Sequence, residues 1–290
     1  LTWNYYLKTQ VATSSFHWSH KLLNAMVNFF RTGIDLGGTK IECIVLDTNG
    51  KQVYRERVPA PQGSYANTIY AISELIYKAD KLVQEKTKVG IGIPGALSEE
   101  TGLVKNANST WLIGTPLKSD LEYSLNRPIR IENDANCFAV SEAVDGAGVN
   151  AQIVFGVILG TGVGGGITIN SKPLKGINSI AGEWGHNPLP WTNEDELNQN
   201  SCYCGKRGCI ETFLSGPAVE RNYYQKTGKV ASAKNILAIS QSGNQCAQAV
   251  FDEFEIHLAK GLAQVINVLD PEIIVIGGGL SNISRLYYNV

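Results

Sequence analysis

Gly33-Ile34-Asp35-Leu36-Gly37-Gly38-Thr39-Lys40 is the stretch that decides the fold, because it carries a short apolar run into a pair of glycines. A second apolar run, Ile41 to Asp47, follows at once and ends at Asn49-Gly50. A glycine turn between two apolar runs is typical of a β-hairpin, since glycine adopts the backbone angles of a tight turn without steric cost. The sequence therefore predicts two antiparallel strands around a glycine turn.

Helices and strands alternate on the C-terminal side of this hairpin. Residues 67–86 carry apolar side chains at helical spacing with charged residues between them, which predicts an amphipathic helix. Apolar runs at 89–93 and 129–132 predict two further strands, and the second leads into a helix that starts near Asp134. This alternation is typical of an α/β sheet.

A second glycine hairpin lies in the C-terminal half. Its first strand begins at Ile153, its turn spans 159–166, and its layout repeats that of the first hairpin, down to an Asn-X-Lys turn at the far end. A long amphipathic helix over 245–269 and a strand over 273–276 follow it. Two similar halves indicate an ancient duplication in which each half offers one glycine turn to the same cleft.

The length of 290 residues allows two domains of ordinary size. We expect a small α/β domain over 31–135 and a larger one over 136–290. Residues 1–30 contain no Asp, Glu, Gly or Pro and show no clear period, so they predict no element. Because the only methionine is Met26, residues 1–25 are a candidate for sequence upstream of the working protein. The abrupt stop after a helical start suggests a C-terminal truncation.

Composition favours a small-molecule partner. The net charge is -1 and both signs are interspersed, so specific binding to nucleic acid or to a membrane is not expected. No stretch approaches the roughly 18 uninterrupted apolar residues of a membrane-spanning helix, and we expect a soluble, cytoplasmic protein. Three isolated cysteines, Cys43, Cys137 and Cys246, are expected to be small buried hydrophobes.

Both glycine turns suit a nucleotide phosphate with its Mg²⁺ ion. Glycines expose backbone N–H groups, and the first turn adds a carboxylate, a hydroxyl and an ammonium. A plain hairpin turn is the alternative for the first turn, but the second has five glycines in seven residues, more than a hairpin needs. Neither turn has the pattern of a Walker A or Rossmann loop. The residues predicted to bind ATP are Gly33, Asp35, Gly37, Gly38, Thr39, Lys40, Gly160, Thr161, Gly162, Val163, Gly164, Gly165, Gly166, Gly277 and Gly278.

Three cysteines, Cys202, Cys204 and Cys209, crowd into eight residues. This clustering argues against a disulfide framework and for a metal, and glycines between them let three thiolates converge on one ion, as zinc prefers. The nearest upstream candidate for a fourth ligand is His186. A closed site of this kind is structural, since no position is left for water. A surface redox pair, or idle reduced thiols, is the alternative.

Four motifs in this order resemble those of the ROK family of sugar kinases and repressors, and the match spans roughly residues 31 to 290. They are Asp-Leu-Gly-Gly-Thr-Lys at 35–40, Leu-Gly-Thr-Gly-Val-Gly-Gly-Gly at 159–166, Gly-Glu-Trp-Gly-His at 182–186, and Cys-x-Cys-Gly-x-x-Gly-Cys-x-Glu at 202–211. The resemblance implies a two-domain α/β fold of the actin/hexokinase-like (ribonuclease H-like) ATPase type, whose domains close over sugar and ATP from an interdomain cleft. It also implies structural Zn²⁺ on His186 and the three cysteines, and it favours a homodimer.

Within that family, four segments look closest to the bacterial fructokinase (manno-fructokinase) branch: 105–112, 133–137, 141–146 and 186–191. N-acetylglucosamine kinases share most of the frame but differ around Asn106 to Trp111 and after His186. The resemblance implies that His186 turns one ring nitrogen to zinc and the other to the sugar. The residues it implies for sugar binding are Asn108, Asn133, Asp134, Glu183, His186 and Glu211.

Asp134 is the candidate general base for phosphoryl transfer from ATP. The expected reaction converts fructose to fructose 6-phosphate, with N-acetylglucosamine, mannose and glucose as alternative substrates. Asp35 is expected to order Mg²⁺ through water. An ordinary capping carboxylate is the alternative for Asp134, and an ordinary turn residue for Asp35.

Two other functional classes remain open. A sugar-sensing transcriptional repressor needs a basic recognition helix upstream, but the roughly thirty residues before the first strand have two lysines and no such pattern. A sugar-binding protein without kinase activity is the second alternative, against which the intact phosphate turns and Asp134 argue.

Overall fold

The computed structural model describes the strand Tyr6–Lys8 and residues 29–107 and 109–290. By their contacts, residues 29–137 and 176–180 form one compact unit, here called the N-terminal unit. Residues 6–8, 138–175 and 181–290 form the second, the C-terminal unit. Over the described residues, no helix combines the length and the apolar character that crossing a membrane requires.

The elements follow one another in an alternating α/β order. The strands are β1 (Tyr6–Lys8), β2 (Arg31–Leu36), β3 (Lys40–Leu46), β4 (Gln52–Pro59), β5 (Lys88–Ile93), β6 (Ala96–Leu97), β7 (Val104–Lys105), β8 (Ile129–Asn133), β9 (Ile153–Leu159), β10 (Val163–Ile169), β11 (Lys172–Pro173) and β12 (Ile273–Gly277). The helices are α1 (Tyr65–Val83), α2 (Leu117–Leu125), α3 (Asp134–Asp145), α4 (Glu194–Gln199), α5 (Glu211–Leu214), α6 (Gly216–Thr227), α7 (Ala233–Gln241), α8 (Gln245–Leu269) and α9 (Leu286–Asn289). Within the described residues, 3₁₀ turns occupy Thr110–Leu112 and Gly279–Asn282.

The sheet of the N-terminal unit has the strand order β4-β3-β2-β5-β8. β2 and β3 are antiparallel, with Leu36 opposite Ile41 across the glycine turn, whereas β5 and β8 run parallel to β2. Alternate residues of β3 are fully buried and share one core with helix α1, as expected for a strand that turns one face to the core. The predicted first hairpin and the α/β alternation are confirmed.

Helix α1 lies close to the predicted span of 67–86 but starts two residues earlier. Its N-cap is Ser64, whose hydroxyl accepts a hydrogen bond from the N–H of Asn67. It ends where Gln84 adopts a left-handed conformation with φ 58°. The apolar face packs into the core of the N-terminal unit through Ile72, Leu75, Ile76 and Ala79.

The sheet of the C-terminal unit has the strand order β1-β12-β9-β10-β11. β9 and β10 form the predicted second hairpin, and β12 pairs in parallel with β9. An antiparallel hairpin whose first strand pairs in parallel with a later strand thus occurs in both units, in line with the repeated sequence pattern. Helix α8 buries Val250, Phe251, Phe254 and Leu258 in the same core as Phe155 of β9.

Two expectations about local structure are wrong. The sequence predicts no element before residue 31, but Tyr6–Lys8 pairs in parallel with Ile273 to Val275 of β12. Three residues show no period of their own, so only the partner strand defines this element. Of the isolated cysteines, Cys43 is buried, but Cys137 and Cys246 are exposed. Apolar neighbours in the sequence do not decide which face of a helix a residue occupies.

Candidate functional site

The first glycine turn is held by one backbone hydrogen bond and one hydrogen bond from a side chain. The N–H of Gly37 donates to the carbonyl of Lys40 (2.9 Å), and the side-chain amide of Gln62 donates to the carbonyl of Gly38 (3.0 Å). Thr39 and Lys40 are exposed. The hydroxyl and the ammonium of the turn are therefore accessible to a ligand.

Two carboxylates lie side by side at this turn. Asp35 of β2 is directly opposite Glu42 of β3 in the antiparallel pair. Glu42 binds Arg55 and Arg57; burial alone would raise the pKa of Glu42, but these two guanidinium groups lower it. Burial and the neighbouring Glu42 carboxylate raise the pKa of Asp35, against a smaller opposing effect of Arg57. A cation bound beside Asp35 would therefore stabilise the ionised form of its carboxyl group.

Asp134 lies at the same edge of the sheet as the first turn. Asp35 is in register with Gly92 of β5, and the adjacent strand β8 ends at Asn133. A Cβ built on Gly92 would lie 3.8 Å from the Cα of Asp134 and 3.8 Å from the carbonyl oxygen of Ile34. With two strand spacings between them, the ends of β2 and β8 are roughly 10 Å apart. The carboxyl ends of parallel strands are where open α/β sheets bind ligands.

Asn133, and not Asp134, caps helix α3. The side-chain oxygen of Asn133 accepts from the N–H of Asn136 (3.1 Å), and its amide nitrogen donates to the carbonyl of Gly95 (3.1 Å). Asp134 is exposed at the first position of the helix, and its carboxylate accepts from the N–H of Ala135 (2.8 Å). Asn133 is therefore the N-cap residue, while the Asp134 carboxylate also accepts one N–H of the first turn.

In the C-terminal unit, the glycine-rich strand β10 packs directly on the 182–186 segment. The indole N–H of Trp184 donates to the carbonyl of Gly164 (2.9 Å), and Trp184 is itself buried edge to face against Phe155. A Cβ on Gly165 would lie 2.8 Å from the carbonyl oxygen of Gly182. Close backbone packing therefore accounts for part of the glycine content that the sequence assigned to phosphate binding.

Glu211 ties the second glycine turn to the rest of the unit. One oxygen of its carboxylate accepts from the N–H of Val163 (2.9 Å), and its own N–H donates to the carbonyl of Gly185 (2.9 Å). A Cβ on Gly162 would lie only 2.6 Å from the same carboxylate oxygen. Glu211, predicted as a sugar ligand, thus also holds an amide of the predicted phosphate turn.

The third glycine segment lies at the same end of β9 as the second turn. Gly277 is in register with Ile158, and Gly278 packs against the carbonyl of Leu159. The carbonyl of Gly160 in turn accepts from the N–H of Gly216 at the start of helix α6 (2.7 Å). The glycine segments predicted to bind ATP in this unit are therefore adjacent.

The predicted metal ligands come together. Backbone bonds between 187–189 and 208–210 bring the His186 segment beside Cys209. The ligand atoms of His186, Cys202, Cys204 and Cys209 all lie within 4.8 Å of one another. The backbone N–H of Lys206 lowers the pKa of Cys204, while burial raises that of Cys209 to about 12.

The spacing of these atoms fits a zinc ion. Tetrahedral zinc with Zn–S of about 2.3 Å and Zn–N of about 2.05 Å would place two sulfur atoms about 3.8 Å apart, and a sulfur and a nitrogen about 3.6 Å apart. The Sγ atoms of Cys204 and Cys209 are 3.6 Å apart. The Sγ of Cys202 is 3.5 Å from Nδ1 of His186. Three thiols and one imidazole are also the donor set that zinc prefers.

Tyr203 is a residue of this region that the sequence analysis missed. Its hydroxyl is 2.9 Å from Nε2 of His186, the ring nitrogen that does not face Cys202. Burial, with Glu211 and Glu183 among the neighbouring charges, raises the pKa of Tyr203 to about 12. Burial and Glu211 likewise raise the pKa of Glu183, whereas His186 lowers it. A tyrosine between two cysteines has no signal of its own in the sequence.

The predicted site residues therefore form two groups. In the N-terminal unit, the turn at 35–40 and the pair Asn133 and Asp134 share one sheet edge, with Gly33 inside β2. In the C-terminal unit, Glu183, His186 and Glu211 lie beside the turn at 159–166. Asn108 lies outside the described residues.

Comparison with known proteins supports the family resemblance. The sequence model of the ROK family matches residues 31–290. Over 259 residues the chain is 40% identical to the N-acetyl-D-glucosamine kinase of Pectobacterium atrosepticum, covering 88% of this chain and 85% of that protein.

Solved structures with the same fold include two ROK proteins. The ROK hexokinase from Thermus thermophilus matches with a TM-score of 0.77 at 28% identity, covering 89% of this chain and 85% of that one. A ROK family glucokinase from Streptomyces griseus, solved in complex with glucose and AMPPNP, matches with a TM-score of 0.70 at 28% identity, covering 89% and 84%. The fold is therefore the predicted α/β fold of the actin/hexokinase-like ATPases.

Proposed function

Because the chain belongs to the ROK family, we propose that it is an ATP-dependent hexose kinase, which transfers the γ-phosphoryl group of ATP to a hydroxyl of a free sugar. The observation that carries the proposal is the sheet edge of the N-terminal unit, where the first glycine turn and Asp134 lie together. Phosphoryl transfer needs both groups: amides that hold the phosphates, and a carboxylate that receives the proton of the attacking hydroxyl.

Asp134 acts as the general base in this proposal. Its exposure leaves it accessible to a sugar hydroxyl, and the capping by Asn133 fixes the start of the helix that carries it. Bound Mg²⁺ would neutralise charge on the phosphates. Asp35 would hold that ion through water, which agrees with the raised pKa of its carboxyl group.

The proposal assigns phosphate binding to the glycine turn of each unit. In the second turn, the N–H of Val163 donates to the Glu211 carboxylate, so this amide anchors the turn and does not itself meet a phosphate. Glu183, His186 and Glu211 are the proposed sugar ligands of the C-terminal unit, with Asn108 and Asn133 as further candidates. Carboxylates and an imidazole suit the hydroxyl groups of a sugar, because they accept and donate hydrogen bonds at fixed positions.

N-acetyl-D-glucosamine is the first candidate substrate. A relative that is 40% identical carries the name of an N-acetyl-D-glucosamine kinase, and the predicted affiliation with the fructokinase branch is not confirmed. Fructose remains the second candidate, since segments 105–112 and 186–191 resemble that branch. Glucose and mannose complete the panel.

A structural Zn²⁺ at His186 and the three cysteines is part of the proposal. Support comes from the donor set and from the interatomic distances of 3.5 and 3.6 Å. Held there, the ion would fix the loop that leads into Glu211, because Cys209 is two residues before it. A homodimer is also proposed, and light scattering coupled to size-exclusion chromatography tests it.

A coupled ADP-release assay tests the proposed function. The panel is N-acetyl-D-glucosamine, fructose, glucose and mannose, each with Mg²⁺ and ATP, with and without a zinc chelator. Release of ADP that depends on one hexose and is lost in Asp134→Asn is expected. Hexose binding by calorimetry without ADP release would refute the kinase proposal and indicate a sugar-binding protein instead.

A further inference from the structure

A buried serine hydroxyl lies beside the first glycine turn without a hydrogen-bond partner. Only 1% of the surface of Ser109 is exposed, and its Oγ finds no donor or acceptor within the described part of the chain. A Cβ built on Gly38 would lie 3.8 Å from this oxygen, which is the nearest atom that such a Cβ would meet. The Ser109 hydroxyl therefore faces the second glycine of the turn at 35–40.

The segment that carries Ser109 is fixed by contacts that do not use this hydroxyl. Leu112 is fully buried, and its N–H donates to the carbonyl of Ser109 (3.0 Å). The indole N–H of Trp111 donates to the hydroxyl of Thr68 on helix α1 (3.3 Å). A serine at the start of a helical turn usually accepts a backbone N–H of that turn through its side chain, but Ser109 makes no such bond. Local structure thus gives its hydroxyl no role.

An unpaired hydroxyl in this place indicates a ligand. Burying a hydroxyl without a hydrogen bond costs free energy, and such groups are rare in folded proteins. The turn that Ser109 faces is the predicted phosphate site. A hydroxyl can donate to a phosphate oxygen, as the backbone amides of a glycine turn do. A nucleotide phosphate is therefore a ligand that the hydroxyl and the turn would share.

The hydroxyl is covered in this conformation, so a phosphate reaches it only if the turn shifts. Gly38 is itself exposed. Its carbonyl is held by the exposed, flexible side chain of Gln62, which can follow or release it. Because Gly38 has no side chain, a shift of its backbone moves no Cβ against Ser109. The turn can therefore uncover the hydroxyl by a small movement.

We propose that Ser109 is a further phosphate-binding residue of the first glycine turn, and that its hydroxyl donates to an oxygen of the nucleotide phosphates held there. The bond forms only in the complex, so it adds to the affinity for the nucleotide without stabilising the free protein. The inference rests on the proposed function, because it takes the turn at 35–40 as a binding site for ATP.

Ser109→Ala tests this inference, since it removes only the hydroxyl. The matched control is Ser73→Ala on helix α1, because Ser73 is also buried but its hydroxyl lies 3.0 Å from that of Ser124. Calorimetry with Mg²⁺ and the non-hydrolysable analogue AMPPNP measures nucleotide binding without turnover. Thermal unfolding without ligands measures stability on the same samples.

The two variants should differ in opposite directions. We expect about tenfold weaker AMPPNP binding in Ser109→Ala, because a hydrogen bond to a charged group is lost. Its unfolding temperature should equal or exceed that of the wild type, since an unpaired buried hydroxyl is removed. Ser73→Ala should have a lower unfolding temperature and an unchanged affinity for AMPPNP. In kinetics, the KM of Ser109→Ala should rise for ATP and stay close to that of the wild type for the hexose.

Ligands with fewer phosphates locate the contact. A loss of affinity that persists with ADP supports a bond to the α- or β-phosphate, and a loss confined to AMPPNP supports a bond to the γ-phosphate. Adenosine, which has no phosphate, should bind Ser109→Ala as well as it binds the wild type. An equal loss with adenosine would overturn the inference, because the substitution would then perturb the whole site.

Other results would also overturn it. Unchanged AMPPNP affinity in Ser109→Ala, with a fall in unfolding temperature like that of Ser73→Ala, means that the hydroxyl is already paired in the free protein. Weaker binding of the hexose and not of the nucleotide assigns Ser109 to the sugar. If the wild type binds AMPPNP but releases no ADP with any hexose, the kinase proposal fails while the difference in affinity still decides the role of Ser109. A wild type that binds no nucleotide overturns both.

Discussion

Gly162→Ala should displace Glu211 without unfolding the protein. The new Cβ would lie 2.6 Å from a carboxylate oxygen of Glu211, closer than real Cβ atoms come to a neighbour. The neighbour is the far end of a flexible side chain, so the carboxylate can retreat while the backbone stays in place. A retreat of several tenths of an ångström breaks the 2.9 Å bond from the N–H of Val163.

The size of the effect follows from that bond. A hydrogen bond to a charged group contributes about 1.5 to 3 kcal/mol, and we take the lower end because Glu211 is only half-buried. Such a loss is about tenfold in an equilibrium constant. Since Glu211 is assigned to the sugar and also orders the phosphate turn, KM should rise about tenfold for the hexose and also rise for ATP.

Initial-rate kinetics with both substrates varied is the assay, with thermal unfolding measured on the same samples. Gly90→Ala is the matched control, because a Cβ on Gly90 meets no atom within 4 Å. It should leave both KM values and the unfolding temperature close to those of the wild type.

A second variant separates steric displacement from other causes. Once Glu211→Ala removes the carboxylate, adding Gly162→Ala should cost almost nothing more, since the clash is gone. Unchanged KM values in Gly162→Ala, or fully additive losses in the double variant, would refute the reasoning.

Three further predictions concern the base, the metal and the pH dependence of stability. Asp134→Asn should lower kcat by about 10²- to 10⁴-fold while calorimetry finds hexose affinity little changed; near-normal turnover would remove Asp134 from the mechanism. Chelation of zinc should lower the unfolding temperature, because the ion joins His186 to the loop at 202–209; an unchanged melting curve after metal analysis confirms removal would contradict a structural ion. Asp35→Asn should raise the unfolding temperature at pH 7 in the absence of nucleotide and metal ions. The raised pKa of Asp35 means that the folded state binds the proton more tightly than the unfolded chain does. The wild type therefore loses stability as the pH rises above the usual carboxyl pKa of about 3.9, and the variant does not. That gain should shrink as the pH falls below about 4, and a variant less stable at pH 7 would count against the pKa argument.

Local sequence patterns were sufficient to predict the fold class and to select most of the candidate site residues. Both glycine hairpins, helix α1 and the α/β alternation follow from short-range periodicity and turn chemistry, which do not depend on distant residues. The predicted metal ligands could be identified for the same reason, since three of the four lie within eight residues.

Contacts between segments distant in the sequence could not be predicted in this way. The sequence predicts only a phosphate-binding role for Gly162. The structure shows that the Glu211 carboxylate also leaves no room for a Cβ at this position. The sequence also did not show that Asn133 is the N-cap residue of helix α3.

The sequence by itself determined which residue types are present at the two turns, at the sheet edge and in the cysteine cluster, because each of these is a local motif. Only the tertiary structure decided that Glu211 holds the second turn and that Tyr203 takes the second nitrogen of His186. The physical reason is that a hydrogen bond is made by side chains that packing brings together, and packing depends on the whole core of a unit, which no single motif encodes.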